Sequence, residues 1–276
     1  MKSAAAALLV LAWSAYAQAI PAKGVNFYSL EREIALGRQA AANLAATLRF
    51  EDPTLKAYLA KLGASVAQSA DPHFQYTFAF YDDRKGFAAP SPFWALPADA
   101  VDGASSEPIA IAGGPVFVPL SLLANAPNEA AFAFQLAHAV AHVALRHATR
   151  AATRAELVEI GMVPVRAQSA QGWARVAMEQ GTQLVIPLSM RAFARQSELQ
   201  ADVLAVSLLA AAGYDPLAVV PYLEAQPELR PLVFSAHPSG SRRADAVRDA
   251  AGKLPARDYA ADTGEFLAMK TLAASQ

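Results

Sequence analysis

Apolar residues recur at helical spacing along much of this 276-residue chain. The first two such stretches predict helices over 30–48, with Ser29 as the N-cap, and over 53–70, with a proline in the first turn. The period then shortens to two, and the alternation of large and small side chains from Tyr76 to Phe80 indicates a half-buried strand. The first third of the chain therefore combines two helices with a strand.

A stretch rich in proline, alanine and glycine follows over 86–108 and predicts a long surface loop. Two short strands at 109–111 and 116–118, joined by a glycine turn, or one strand with a sharp bend are expected after it. The most apolar helix is predicted from an N-cap at Asn128 to about Arg150. Later helices are predicted over 153–161, 168–184, 189–212, 216–224 and 240–252. The predicted fold class is α+β, predominantly helical with one small sheet.

Composition and charge exclude several classes of protein. The 23 basic and 24 acidic residues give a net charge of −1, which argues against nucleic acid as a partner. Hydrophobic residues make up 54% of the chain and charged residues 17%, so there is ample material for a packed core. The chain has no cysteine, so any metal must be held by histidines and carboxylates.

Residues 1–17 have the pattern of a secretory signal peptide. Lys2 precedes an apolar stretch over 4–13, and Ala15-Tyr16-Ala17 provides small residues for cleavage. The apolar stretch is shorter than the roughly 18 to 20 residues that a membrane span needs, so cleavage is expected. The expected mature protein is a single domain over 18–276, periplasmic or secreted, with no transmembrane segment. Peripheral membrane association is left open.

Two histidines on the central apolar helix are the first sign of chemistry. His138 and His142 are four residues apart, so their rings are about 40° apart around the helix axis and can share one ion. By the same count, His147 lies about 180° from His138 and is expected on the outer surface. Such a pair alone is weak evidence for a metal, but two uncompensated imidazoles among apolar residues would each cost about 1–3 kcal/mol.

A third ligand is suggested by the stretch from Glu198 to Asp202, whose two carboxylates share one face of a later helix. The residues that follow are mostly apolar, so both acids are expected to be buried at their end of the helix. Buried carboxylates need a cation or hydrogen-bond donors. The histidine pair and this acidic pair are therefore natural partners.

These motifs together resemble one family. His138 and His142, the Glu198–Asp202 stretch, Gly213-Tyr214-Asp215-Pro216, and His237-Pro238 with Arg243 resemble the zinc metallopeptidases that include CAAX prenyl endopeptidases and periplasmic quality-control proteases. The resemblance extends from Tyr28 to about Ala250. It implies a zincin-like metallopeptidase fold of the His-Glu-x-x-His type, with the small sheet beside the helix that carries His138 and His142.

The resemblance also implies roles for individual residues. His138, His142 and Glu198 correspond to the family's ligands for one zinc ion, and Asp202 to an acid that orients a liganding imidazole. His237 and Arg243 correspond to residues placed near the zinc or the transition state, with His237 a possible fourth ligand. The implied partner is extended or unfolded polypeptide, which adds as a strand to the region over 109–118.

One departure from the family pattern concerns catalysis. Ala139 stands where the His-Glu-x-x-His motif has its general base. Losing general-base assistance typically lowers the rate by about 10² to 10⁴. Three hypotheses follow: an exported zinc-binding homologue with impaired proteolysis, in effect a pseudoenzyme; an active metalloendopeptidase of periplasmic protein quality control whose base comes from elsewhere; and a metal-free helical interaction protein whose histidines and Glu198 bind one another.

Overall fold

The structure, a computed structural model, describes residues 25–48, 50–85, 107–167, 173–226 and 237–276. The expected signal peptide over 1–17 and most of the expected loop over 86–108 lie outside the described residues. The helices, in chain order, are α1 (Leu30–Thr47), α2 (Pro53–Ala67), α3 (Leu120–Asn125), α4 (Glu129–Ala144), α5 (His147–Ala167), α6 (Trp173–Ala211), α7 (Val220–Glu224), α8 (Gly240–Ala251) and α9 (Phe266–Ser275). The strands are β1 (Thr77–Tyr81), β2 (Ile109–Ala110) and β3 (Pro115–Pro119).

A small sheet lies against the helices, as the sequence predicts. Its strand order is β1-β3-β2, with β1 parallel to β3 and β2 antiparallel to β3. The turn between β2 and β3 contains Gly113 and Gly114, whose φ angles of 87° and 129° are ones that glycine adopts most readily. Both β2 and β3 contact α4. The predicted class, α+β and predominantly helical with a small sheet, is confirmed.

The core is built around α4. Asn128 caps this helix, because its side chain accepts a hydrogen bond from the backbone N–H of Ala131 at 2.8 Å. Nearly every side chain of α4 is buried, including Phe132 and Phe134. Its most extensive packing is against α6, whose last turns contribute buried leucines such as Leu208. Each such side chain stabilises the fold by about 1.5–3 kcal/mol.

The central helix is shorter than predicted. It ends at Ala144, and α5 begins at His147 after Arg146, which has a left-handed φ of 56°. Arg146 is held there by long-range contacts: its Nε donates to Glu33 on α1 at 2.6 Å, and its Nη2 donates to the carbonyl oxygen of Tyr28 at 2.7 Å. The prediction of a continuous helix to Arg150 is therefore wrong. The break is caused by partners about 115 residues away in sequence, and no glycine or proline nearby indicates it.

Other helix boundaries also differ from the prediction. A single helix, α6, replaces the two predicted over 168–184 and 189–212 and continues through Pro187. Proline removes one hydrogen bond within a helix and does not always end it. The short helices α3 and α9 were not predicted, since neither has a strong periodic pattern. Among the described residues, no helix is both long enough and apolar enough to cross a membrane.

Close packing of α1 against the turn before β3 generates a test of the fold. A Cβ on Gly37 would lie 1.5 Å from the carbonyl oxygen of Ala112. Backbone atoms cannot yield as a flexible side chain can, so Gly37→Ala is expected to lower the free energy of unfolding by about 3 kcal/mol in urea titrations. Gly264→Ala is the matched control, because its Cβ would meet nothing within 4 Å. Equal stability of the two variants would contradict the described packing.

Candidate metal centre

Two helices bring the predicted residues together. The packed pair α4 and α6 carries His138 and His142 on one helix and Glu198 and Asp202 on the other. In each pair the two residues are four apart and therefore share a helix face. His138 is buried with 4% of its surface exposed, and Asp202 is fully buried. The four side chains form one polar cluster in an otherwise apolar contact.

The three expected ligands converge on one point. Nε2 of His138 and Nε2 of His142 are 3.0 Å apart, and the Glu198 carboxylate oxygens lie 3.2 Å from the first and 3.4 Å from the second. Zinc bonds of about 2.0–2.1 Å in tetrahedral geometry place neighbouring ligand atoms about 3.3 Å apart. The spacing of these side chains therefore fits a small divalent ion without rearrangement of the backbone.

Asp202 anchors the first histidine from behind. Its Oδ1 lies 2.9 Å from Nδ1 of His138, and both of its oxygens accept hydrogen bonds from Arg243, each at 2.9 Å. The proton on Nδ1 of His138 is directed at Asp202, so Nε2 is the atom that faces His142 and Glu198. Burial alone would raise the pKa of Asp202, but the charge of Arg243 and the hydrogen bond from His138 lower it. Asp202 is therefore an ionised acceptor.

The charges at the centre reinforce one another. Burial acts to raise the pKa of Glu198, but the neighbouring His142, His138 and His237 hold it well below the usual value. Burial also acts to lower the pKa of His138, yet hydrogen bonds to Asp202 and Glu198 raise it to about 9. The Glu198 carboxylate and the His138 imidazole thus share a proton. The lone pairs that hold this proton are the ones that can bind a metal ion.

His147 was predicted to lie on the outer surface, and this prediction is wrong. The residue lies in this centre. It is 5% exposed, and its Nδ1 is 3.1 Å from Nδ1 of His142 while its Nε2 is 3.2 Å from Oε1 of Gln200. The prediction failed because it assumed an unbroken helix, whereas the left-handed Arg146 turns the chain back toward α4. Burial and the proximity of His142 lower the pKa of His147 to about 3, so its ring is neutral.

A comparison with protein families shows which family the chain belongs to. The model of peptidase family M48 matches residues 98–251, more than half of the chain and all four residues of the cluster. The chain belongs to peptidase family M48. The resemblance to zinc metallopeptidases is thereby confirmed, while the narrower likeness to CAAX endopeptidases and periplasmic proteases stays a prediction. No curated protein matches the chain closely enough to count as a relative.

The remaining residues expected in this M48 centre lie at its edges. His237 is 47% exposed, and its Nδ1 lies 3.7 Å from the Glu198 carboxylate. Arg243 is buried behind His138, with its Nη2 3.5 Å from Nδ1 of that ring. Arg243 therefore contacts the imidazole and Asp202 on the side away from the ligand atoms. Whether either residue acts in a transition state stays a prediction.

Glu107 is a residue of the centre that sequence reasoning missed. Its Oε1 accepts a hydrogen bond from Nη1 of Arg243 at 3.2 Å, and its carboxylate lies within 4.8 Å of ligand atoms of Glu198 and His237. Burial would raise the pKa of Glu107, but the neighbouring His237 and Arg243 lower it. Glu107 stands just before β2 with no motif around it, so only the folded chain reveals its position.

The buried Asp202 generates a test of the centre. Asp202→Asn is expected to lower the free energy of unfolding by about 3 kcal/mol, because it removes the main counter-charge of buried Arg243. It should also weaken metal binding by about 10- to 100-fold, since His138 loses its orienting carboxylate. Urea unfolding and competition with a chromophoric chelator measure the two effects. Asp245→Asn, which removes an exposed partner of Arg248, is the control, and similar results for both variants would contradict the arrangement.

Proposed function

We propose that this M48 member is an exported protein that binds one zinc ion through His138, His142 and Glu198 and holds extended polypeptide, but cleaves it poorly. The observation that supports the metal site is the spacing of 3.0–3.4 Å among the three sets of ligand atoms. Two imidazoles and a carboxylate are a donor set that zinc favours, and three protein ligands are the number found in catalytic zinc sites. When bound, zinc would polarise a peptide carbonyl as a Lewis acid.

The proposed impairment rests on Ala139. This residue directly follows His138 on α4, at the place where the family resemblance expects the general base, and it is buried, with 2% of its surface exposed. A methyl group can neither accept a proton nor orient a water molecule. The expected loss of rate is about 10² to 10⁴.

A second candidate function, that of an active metalloendopeptidase, is favoured by Glu107. Its carboxylate lies near Glu198 and His237 and is a proton acceptor that could replace the missing one. The ion pair with Arg243 and the lowered pKa of Glu107 make it a weak base, however, and this is the reason for preferring impaired activity. A metal-free interaction protein is the third alternative, and metal analysis distinguishes it from the other two.

Location and partner are parts of the same proposal. Export to the periplasm or outside the cell rests on the signal-peptide pattern of residues 1–17. Binding of extended polypeptide rests on β2, which ends the strand order of the described sheet and contacts the helix that carries His138. Backbone hydrogen bonds to a strand edge provide affinity with little dependence on sequence.

Metal content tests the proposed site. Purified protein is expected to contain about one zinc per chain by mass spectrometry, and His142→Ala should reduce this sharply because one of three ligands is lost. His73→Ala is the control, since His73 is exposed and bonded to Asp71 far from the cluster in sequence. Absence of zinc from the wild type, or equal zinc in the His142→Ala and His73→Ala proteins, would contradict the proposal.

Activity of an Ala139 variant tests the impairment. Wild type is expected to cleave casein near background, and Ala139→Glu to cleave at least about 100-fold faster in a chelator-sensitive manner, because a general base is restored. Ala139→Gln, of equal size but not basic, is the control, and thermal melts check that both variants fold. Efficient, chelator-sensitive cleavage by the wild type would overturn the impairment. Its loss in Glu107→Gln would then favour the second candidate.

A further inference from the structure

The two proposed histidine ligands are supported from behind in different ways. Behind His138 lies the carboxylate of Asp202, at 2.9 Å from Nδ1. The corresponding Nδ1 of His142 faces another imidazole, that of His147, at 3.1 Å. His147 in turn meets Oε1 of Gln200 at 3.2 Å. A chain of two hydrogen bonds therefore runs from the side chain of Gln200 on α6 to His142 on α4.

The donor and acceptor groups of Gln200, His147 and His142 determine the direction of the two hydrogen bonds. The amide oxygen of Gln200 can only accept, so Nε2 of His147 must carry a proton. His142 can bind a metal ion through Nε2 only if its own proton is on Nδ1, and Nδ1 of His147, 3.1 Å away, is the atom placed to accept that proton's hydrogen bond. This leaves Nε2 of His142 unprotonated, with its lone pair facing Nε2 of His138 and the Glu198 carboxylate. The opposite direction would put a proton on the atom that must bind the metal.

The break between α4 and α5 makes the hydrogen bonds of His147 to His142 and Gln200 possible. In a continuous helix His147 would lie about 180° around the axis from His138. The left-handed Arg146, bonded to Glu33 and to the carbonyl of Tyr28, returns His147 to the centre. Thr149, two residues later, also donates to Glu33 at 2.9 Å. Contacts from α1 thus determine where the His147 ring lies.

We infer that His147 and Gln200 are positioning residues that hold His142 in the tautomer and orientation needed to bind a divalent metal ion. This inference rests on the proposed function, because it requires the metal site of His138, His142 and Glu198. Neither residue touches the ion itself. Loss of a hydrogen-bonding partner behind a liganding histidine typically weakens metal binding by about 10- to 100-fold.

The inference is tested by titrating the metal-free, full-length protein with zinc in competition with a chromophoric chelator. His147→Phe keeps a ring and removes the acceptor, and is expected to bind zinc about 10- to 100-fold more weakly. His147→Asn retains an amide oxygen close to the place of Nδ1, and is expected to recover most of this loss. Thr153→Val is the control, since Thr153 lies on the same helix as His147 and bonds to Asn26 but does not contact Glu33 or His142. Its zinc affinity should equal that of the wild type.

Two further measurements keep the outcome decisive. Gln200→Leu removes the acceptor at the far end of the chain and should weaken zinc binding even if His147→Phe fails to fold. Visible absorption of the cobalt-substituted protein should change in His147→Phe and Gln200→Leu and stay unchanged in Thr153→Val, because the cobalt absorption bands report ligand geometry. Wild-type affinity in His147→Phe or in Gln200→Leu, or equal weakness of the Asn and Phe variants at position 147, would overturn the inference alone. A wild type that binds no metal would overturn the proposed function and the inference with it.

Discussion

Two carboxylates, one buried and one mostly shielded from solvent, determine how this protein is organised around its centre. Glu198 and Asp202 face the most apolar helix of the chain, and an unpaired charge there would cost several kcal/mol. Their compensation comes from α4 and α8: His138 and His142 for Glu198, and Arg243 with His138 for Asp202. The helices α4, α6 and α8 must therefore keep fixed positions relative to one another. The same requirement places the proposed ligand atoms of His138, His142 and Glu198 close enough together to share one ion.

The centre has two layers. The inner layer is the set of proposed ligand atoms of His138, His142 and Glu198. The outer layer holds each imidazole by its second nitrogen, through Asp202 for His138 and through His147 for His142. Buried polar groups of this kind are stable only when every member of the network has a hydrogen-bond partner. An incomplete network leaves an unpaired polar group in a medium of low polarity, which is costly. The match to peptidase family M48 covers both layers.

Sequence reasoning predicted the parts of this structure that depend on local spacing. The four-residue intervals His138–His142 and Glu198–Asp202 place each pair on one face, and Asn128 caps its helix as expected. Sequence reasoning failed where a contact with a residue far away in sequence determines the local structure. The chain leaves the helix at Arg146 because Glu33 on α1 binds it, and this reverses the predicted side of His147. Glu107 enters the centre by pairing with Arg243, 136 residues away, and no pattern around it could indicate that.

X-ray absorption at the zinc edge of the zinc-loaded protein tests the central claim most directly, because it reports which side chains surround the ion. The account predicts two imidazole nitrogens at about 2.0–2.1 Å together with oxygen ligands at similar distance. A spectrum with at most one imidazole, the other ligands being oxygen, would show that His138 and His142 do not bind a common ion and would contradict the proposed centre.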